Sequence, residues 1–220
     1  MKILYKLASR SRPEKFFKCL SNIGAKAKRS DYIILASLDI NDRSMFTESE
    51  INRLDLEPNL VYVFGKSKNK IDAINRDIER IKEWDILVNT SDDMLFIEEG
   101  FDLHIIGDFE NDFDKVLHYN DGYQRDNCMT LSIMGRPYYN RFGYVYHPSY
   151  ESLWSDCEAT DVARALGKHK YMGDEKILFR HYHPSLGLTT YDEQYLKTEA
   201  MGVRNKDEQN YLERKKNKFP

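Results

Sequence analysis

Apolar positions in the N-terminal half fall alternately into short runs and helical stripes. Ile3 to Leu7 is a compact run of strand type that leads into Ala8-Ser9-Arg10-Ser11-Arg12-Pro13. Ser11 and Glu14 have capping-box spacing, and Pro13 suits a first helical turn. Phe16, Phe17, Leu20 and Ile23 then mark one helix face, which Gly24 is expected to stop. Tyr32 to Leu38 is a second run, closed by Asp39-Ile40-Asn41-Asp42, and Thr47 with Glu50 opens a short helix reaching about Leu54. Leu60 to Phe64 is a third run, ending at Gly65. A basic turn, Lys66 to Lys70, precedes Ile71, Ile74, Ile78 and Ile81 at helical spacing. The fourth run, Ile86-Leu87-Val88, passes into Asn89-Thr90-Ser91-Asp92-Asp93 and reads as a buried strand. Strand and helix in alternation predict an α/β fold with a parallel sheet covered on both sides.

The second half is less regular. Gly100 to Ile106 suits a short helix, and Lys115–Tyr119, Met129–Gly135 and Gly143–Tyr146 suit strands. Asp161–Leu166 reads as a helix ending at Gly167, and Ile177–His183 as a last strand before Pro184. From Asp192 the chain is polar, with a helical pattern that ends in the basic stretch Arg214-Lys215-Lys216.

Composition narrows the class. A chain of 220 residues, 41% hydrophobic and 31% charged, can bury one full core. A net charge of -3 gives no overall electrostatic grip on nucleic acid, although it leaves room for a local basic face. Cys19, Cys128 and Cys157 are odd in number, widely spaced and without a CxxC pair. They speak against a disulfide framework or thiolate zinc site and suit a reducing cytoplasm. No leader or membrane-spanning apolar run is evident, so no membrane anchor is expected.

Three features lie where strands are expected to end, the place where open α/β sheets bind ligands. Adjacent Asp92 and Asp93 repel unless solvated or neutralised by a cation; either residue could instead cap a turn. Trp154-Ser155-Asp156-Cys157-Glu158 sets an aromatic before two carboxylates, which could also be helix-start charges. His181 and His183 share one side of a strand, and an Asp with a His suits a divalent metal that also holds phosphate oxygens. The ordinary reading of a histidine is a satisfied core or surface residue, and that of Trp154 is core packing.

The order of these features resembles the GT-A-type glycosyltransferases, in particular the family 2 enzymes that use nucleoside diphosphate sugars. The resemblance runs from Leu7 to about Gly187. It implies a Rossmann-type α/β/α sandwich with a mixed, mostly parallel central sheet. Residues 1–190 would form one catalytic domain, split into a nucleotide-sugar half at 1–95 and an acceptor half at 96–190, with 191–220 as a polar helical tail. Ala8, Ser9 and Arg12 match the first-strand turn that lies against the nucleotide, and Asp39 matches the position that reads the base. Lys70 and Asn75 match positions near the ribose and diphosphate. Ser91-Asp92-Asp93 stands at the Asp-x-Asp metal motif. Ser91 replaces its first aspartate, which makes Asp93 the main ligand and Asp92 an assistant. His183 matches the late metal-site histidine, with His181 as its rival. Asp156 falls at the catalytic base, and Glu158 competes for that role because Ser-Asp stands where Glu-Asp is common.

The resemblance implies Mn2+ or Mg2+ as cofactor, a UDP-sugar as favoured donor, and inverting displacement onto an acceptor hydroxyl. Trp154 would stack on the acceptor. That acceptor could be a glycan, a protein hydroxyl or a hydroxylated DNA base, the last kept in view by Arg10, Arg12, Lys15, Lys18, Lys26, Lys28 and Arg29. The competing functions are a metal-dependent phosphoesterase or nuclease using the same side chains, and a noncatalytic nucleotide-binding module.

Overall fold

The computed structural model describes all 220 residues. In chain order the elements are β1 (Ile3–Ser9), α1 (Pro13–Lys26), β2 (Ile33–Asp39), α2 (Glu48–Leu56), β3 (Leu60–Gly65), α3 (Lys70–Asn75) and β4 (Ile86–Thr90). They continue as β5 (Met94–Phe96), α4 (Phe101–Asp108), β6 (Val116–His118), β7 (Ile133–Gly135), α5 (Arg136–Tyr139), α6 (Ser155–Ala165), β8 (His169–Tyr171), β9 (Phe179–His181), α7 (Glu193–Thr198) and α8 (Met201–Lys216). The main sheet has the order β3-β2-β1-β4-β7-β6-β8. Only β7 runs against the others, while β5 and β9 form a separate antiparallel ribbon.

Alternation along the buried strands sorts the core into two layers. Ile3, Tyr5 and Leu7 of β1 join Phe16, Phe17, Leu20 and Ile23 of α1 on one face, with Phe101 and Ile105 of α4. Leu4, Leu35 and Leu87 face the other way, onto Ile71, Ile74 and Ile78 and onto Tyr150 and Tyr211. The result is the expected α/β/α sandwich with a mixed, mostly parallel sheet. No helix is long and apolar enough to cross a membrane.

Several local expectations are corrected. Ser11 does not cap α1: it sits at φ 59°, and its N–H donates to Asp42 Oδ2 at 2.6 Å. Nor does Gly24 stop that helix, which runs to Lys26. The isoleucine stripe from 71 is not one helix. α3 ends at Asn75, Asp77 turns left-handed at φ 72°, and Ile78–Arg80 resumes as a 3-10 turn that returns Ile78 to the same core. Gly143–Tyr146 forms no strand, because Asn75 accepts N–H bonds from Val145 and Tyr146 and holds the segment as a loop. Met129–Gly135 is strand only from Ile133. There β7 needs a glycine, since a Cβ on Gly135 would lie 1.9 Å from the Phe113 carbonyl oxygen. The helix read from Asp161 begins at Ser155, and the last strand is only Phe179–His181, paired with β5 rather than with the main sheet. By contrast, Thr47 caps α2 as its spacing suggests, accepting from Glu50 N–H at 3.2 Å.

Residues 191–220 fold onto the rest of the chain as α7 and α8. Tyr195, Asp207 and Tyr211 are buried there, and Asp207 accepts the N–H groups of Glu151, Ser152 and Leu153.

Candidate functional site

A cleft of about 700 Å³ opens at the carboxyl ends of β1, β2 and β4. The loops after β1 and β4, the turn before α3, the start of α6, β9 and the C-terminal helices all contribute to its walls. Parallel strands ending side by side bring their following loops to one place, which is why these distant segments meet.

At the centre, Asp92 and Asp93 are both buried. Ser9 Oγ donates to Asp92 at 2.6 Å, and Arg12 Nη1 approaches it at 3.1 Å. Burial, then the neighbouring Asp93 charge, push Asp92 up to about 6 despite Arg12 and Ser9. Burial acts on Asp93 in the same sense, but the hydrogen bond and charge of His181 and the hydroxyl of Tyr195 outweigh it and hold Asp93 below the usual carboxylate range. Tyr195 donates to Asp93 Oδ2 at 2.6 Å, and His181 Nε2 lies 3.5 Å from the same oxygen. His183 is engaged elsewhere: its Nε2 meets Glu199 at 2.7 Å and its Nδ1 meets Ser185.

Seven buried side-chain polar atoms lack any hydrogen-bond partner, and six belong to cleft residues: Arg12 Nε, Asn89 Oδ1, Thr90 Oγ1, Asp93 Oδ1, Ser152 Oγ and His181 Nδ1. A buried group without a partner carries a desolvation cost, so these six atoms are the ones that a ligand or ordered water in the cleft would satisfy. A divalent ion fits this donor set, because Asp93 Oδ1 has no partner and His181 Nδ1, once the ring gives up its second proton, offers an imidazole lone pair beside it. No third thiolate, imidazole or carboxylate converges on that pair within 4.8 Å, which leaves the remaining positions to phosphate oxygens and water.

Of the residues matched to the nucleotide donor, Ala8, Ser9, Arg12, Asp39, Lys70 and Ser91 line the cleft. Asp39 is held by Arg10 at 2.5 Å and by the Ser67 N–H at 3.1 Å. Asn75 does not reach the cleft; it fastens the Val145–Tyr146 loop from below. On the opposite wall, the first turn of α6 separates two carboxylates. Asp156 faces the cleft, whereas Glu158, two residues on and therefore on another helix face, is buried. Glu158 is pinned by Tyr150 at 2.7 Å and by Arg214 at 2.7 and 2.9 Å. Trp154 lines the cleft with its backbone at φ 63° and its ring stacked on Tyr211 at 5.2 Å. Next to Asp156, the Cys128 and Cys157 sulfurs lie 2.7 Å apart.

No protein-family model matches this chain, and no curated protein matches it by sequence. Solved structures do match. Mannosyltransferase PcManGT from Pyrobaculum calidifontis, in complex with GDP-Man and Mn2+, aligns with TM-score 0.63 at 13% identity over 80% of this chain and 55% of its own. S. aureus TarS 1-349 aligns with TM-score 0.63 at 11% identity, over 82% of this chain and 60% of its own. GalNAc-T7 with UDP, GalNAc and Mn2+ aligns with TM-score 0.66 at 10% identity, over 82% of this chain and 43% of its own. The fold is GT-A-like.

Within this GT-A-like frame, the C-terminal helices supply cleft residues that sequence reasoning missed. Asp192 bonds Arg12 at 2.7 Å and Lys15 at 2.8 Å, and the Arg12 guanidinium stacks over the Tyr195 ring at 3.9 Å. Tyr195, Lys197, Glu199 and Arg204 line the cleft, with Asp192 behind them. One signal for them was legible: Asp192 stands at N-cap spacing before Tyr195, whose N–H it accepts. Asn89 and Thr90 of β4 and the loop residues Arg10 and Tyr146 were likewise missed, because nothing in the local sequence distinguishes a polar residue aimed at the cleft from one satisfied by a neighbour.

Proposed function

We propose that this chain is a metal-dependent glycosyltransferase that moves a sugar from a nucleoside diphosphate donor to an acceptor hydroxyl with inversion. The reading is carried by the concentration of unpartnered buried polar atoms in the cleft of a GT-A-like fold, Asp93 Oδ1 and His181 Nδ1 foremost. The neighbours named above that are described with GDP-Man or UDP and with Mn2+ support it.

Asp93 and His181 would hold the ion, with Asp92 shaping the site beside it. Bound there, a divalent cation offsets the negative charge that builds on the leaving diphosphate. Lys70, a cation that lines the cleft, would pair with phosphate oxygens. Asp39, already oriented by Arg10 and Ser67, would face the base. Asp156 would take the proton of the acceptor hydroxyl as general base; Glu158 is tied up by Arg214 and Tyr150 and serves to anchor α8 against α6.

A carbohydrate acceptor fits better than nucleic acid. Of the basic residues that kept DNA in view, Arg10, Arg12, Lys15, Lys28 and Arg29 are each paired with a carboxylate. Trp154 instead presents an aromatic surface to the cleft.

A thermal-shift screen of nucleoside diphosphates and their sugars, with and without Mn2+, tests the donor site. A metal-dependent stabilisation by one nucleotide, lost in Asp93→Ala, is expected; no shift with any nucleotide sinks the reading. For the base, Asp156→Asn should lower kcat by about 10²–10⁴-fold with donor binding intact. Full activity would remove Asp156 from that role.

A further inference from the structure

A second group of ligand-type side chains lies at the edge of the main sheet, outside the cleft. His118 ends β6 and His169 begins β8; in their parallel register Val116 lies beside His169, and His118 beside Tyr171. With side chains alternating every second residue, both imidazoles stand on the same face, diagonally across the strand pair. His118 Nδ1 is 3.0 Å from His169 Nε2. Asp126, on the loop between β6 and β7, converges on them, with ligand atoms of all three within 4.8 Å of one another. His118 is buried, His169 half-buried and Asp126 exposed, so the group is open on one side only.

We propose that His118, His169 and Asp126 form a binding site for a divalent transition-metal cation of the zinc type. Two nitrogens bound to zinc at about 2.0–2.1 Å in a tetrahedron stand roughly 3.3 Å apart, so the nitrogens need to part only slightly from 3.0 Å. The two rings, now facing each other nearly head-on at a 5.2 Å centroid distance, swing to aim at a common point beside them. Two imidazoles and one carboxylate favour zinc, cobalt or nickel over magnesium or calcium. Without an ion, one of the two facing nitrogens carries the hydrogen of the bond between them. Ion binding needs both lone pairs, so that ring takes its other neutral tautomer, with the proton on its far nitrogen. Arg164 fixes the carboxylate by bonding Asp126 Oδ1 at 2.8 Å and the Asp126 carbonyl oxygen, which leaves Oδ2 for the ion. Solvent fills the fourth position.

The site has a structural consequence that does not depend on the glycosyltransferase reading. The loop bearing Asp126 also bears Tyr123, Gln124, Cys128 and Thr130, which line the cleft. A bound ion would fasten that wall to the sheet edge.

Equilibrium dialysis with Zn2+, joined to the absorption spectrum of the Co2+ form, tests the proposal. The background is Asp93→Ala with Cys157→Ser, which disarms the cleft carboxylate–imidazole pair and the thiol pair as competing ligands. This protein is expected to hold one zinc per chain, and its cobalt form to show tetrahedral ligand-field bands without sulfur charge transfer. Adding His169→Ala should abolish the bound zinc at equimolar metal. Asp126→Asn, at an exposed loop position whose amide oxygen can still accept from Arg164, should weaken binding by at least about 10-fold, since loss of even an outer partner of a ligand costs that much. Absence of zinc from the background protein, or zinc retained in both added variants, overturns the proposal. Nucleotide binding is read at the cleft, so each proposal can fail without the other.

Discussion

Replacing Asp207 tests whether the C-terminal helix is a working part of the site. The residue is fully buried on α8, and its carboxylate accepts three backbone N–H bonds, from Glu151 at 3.0 Å and from Ser152 and Leu153 at 2.8 Å. Those amides lie on the loop that delivers Trp154 and Asp156. A hydrogen bond to a charged group contributes about 1.5–3 kcal/mol, and three sharing one acceptor add less than three times that. Some of the loss in Asp207→Ala is recovered by water entry and by alanine's helix preference, which leaves an expected destabilisation of about 3–5 kcal/mol. Asp207→Asn keeps an oxygen for the Ser152 and Leu153 amides but turns an NH2 toward that of Glu151, so about 1–3 kcal/mol is expected. Urea unfolding measures both values. Hydrogen exchange at residues 151–153 shows whether the loop is what loosens, and kcat should fall alongside. A cost under about 1 kcal/mol for the alanine variant, or unchanged exchange at those amides, would refute the reasoning.

Other outcomes follow from single features. Lys6 is buried, and burial lowers its ammonium from 10.5 to about 7 despite the Asp77 charge. Between those pH values the unfolded chain binds the extra proton, so Lys6 makes stability rise with pH by up to about 1.4 kcal/mol per unit; Lys6→Met should flatten that slope in unfolding curves taken at pH 7 to 10. Cys157 is half-buried on the cleft wall while Cys19 and Cys128 are buried, so a maleimide should label Cys157 first, and nucleotide with Mn2+ should slow that labelling. Gly135→Ala drives a methyl into the Phe113 carbonyl and should destabilise by about 3 kcal/mol, read as a lowered Tm.

The sandwich was legible because its evidence in the chain is local. Ile3–Leu7, Tyr32–Leu38 and Ile86–Val88 are runs too short for buried helices, and the stripe from Phe16 to Ile23 has the period of a helix. What eluded the sequence was set by partners far along the chain. The break after Asn75 follows from its bonds to Val145 and Tyr146, seventy and seventy-one residues on. The edge strand β8 forms only because β6 lies beside it. Among the cleft residues, Asp93, His181 and His183 could be named because carboxylate and imidazole are informative wherever they occur. The separation of Asp156 from Glu158 depended on where α6 starts, at Ser155 rather than at Asp161.

The two levels of organisation meet at the cleft. Elsewhere the molecule satisfies its buried charges with fixed neighbours: Asp102 accepts the Lys28 and Arg29 amides, and Glu158 is enclosed by Arg214 and Tyr150. In the cleft the same polypeptide places Asp92 against Asp93, leaves His181 Nδ1 and Asp93 Oδ1 without partners, and holds Trp154 in a left-handed backbone conformation. Strain and unpaired polarity of this kind persist only where the surrounding structure imposes them. Here α7 and α8 do so, through Tyr195 on Asp93, Asp192 on Arg12 and Asp207 beneath the Trp154 loop. The polar C-terminal segment is therefore what holds Asp93, Arg12 and the Trp154 loop in these positions.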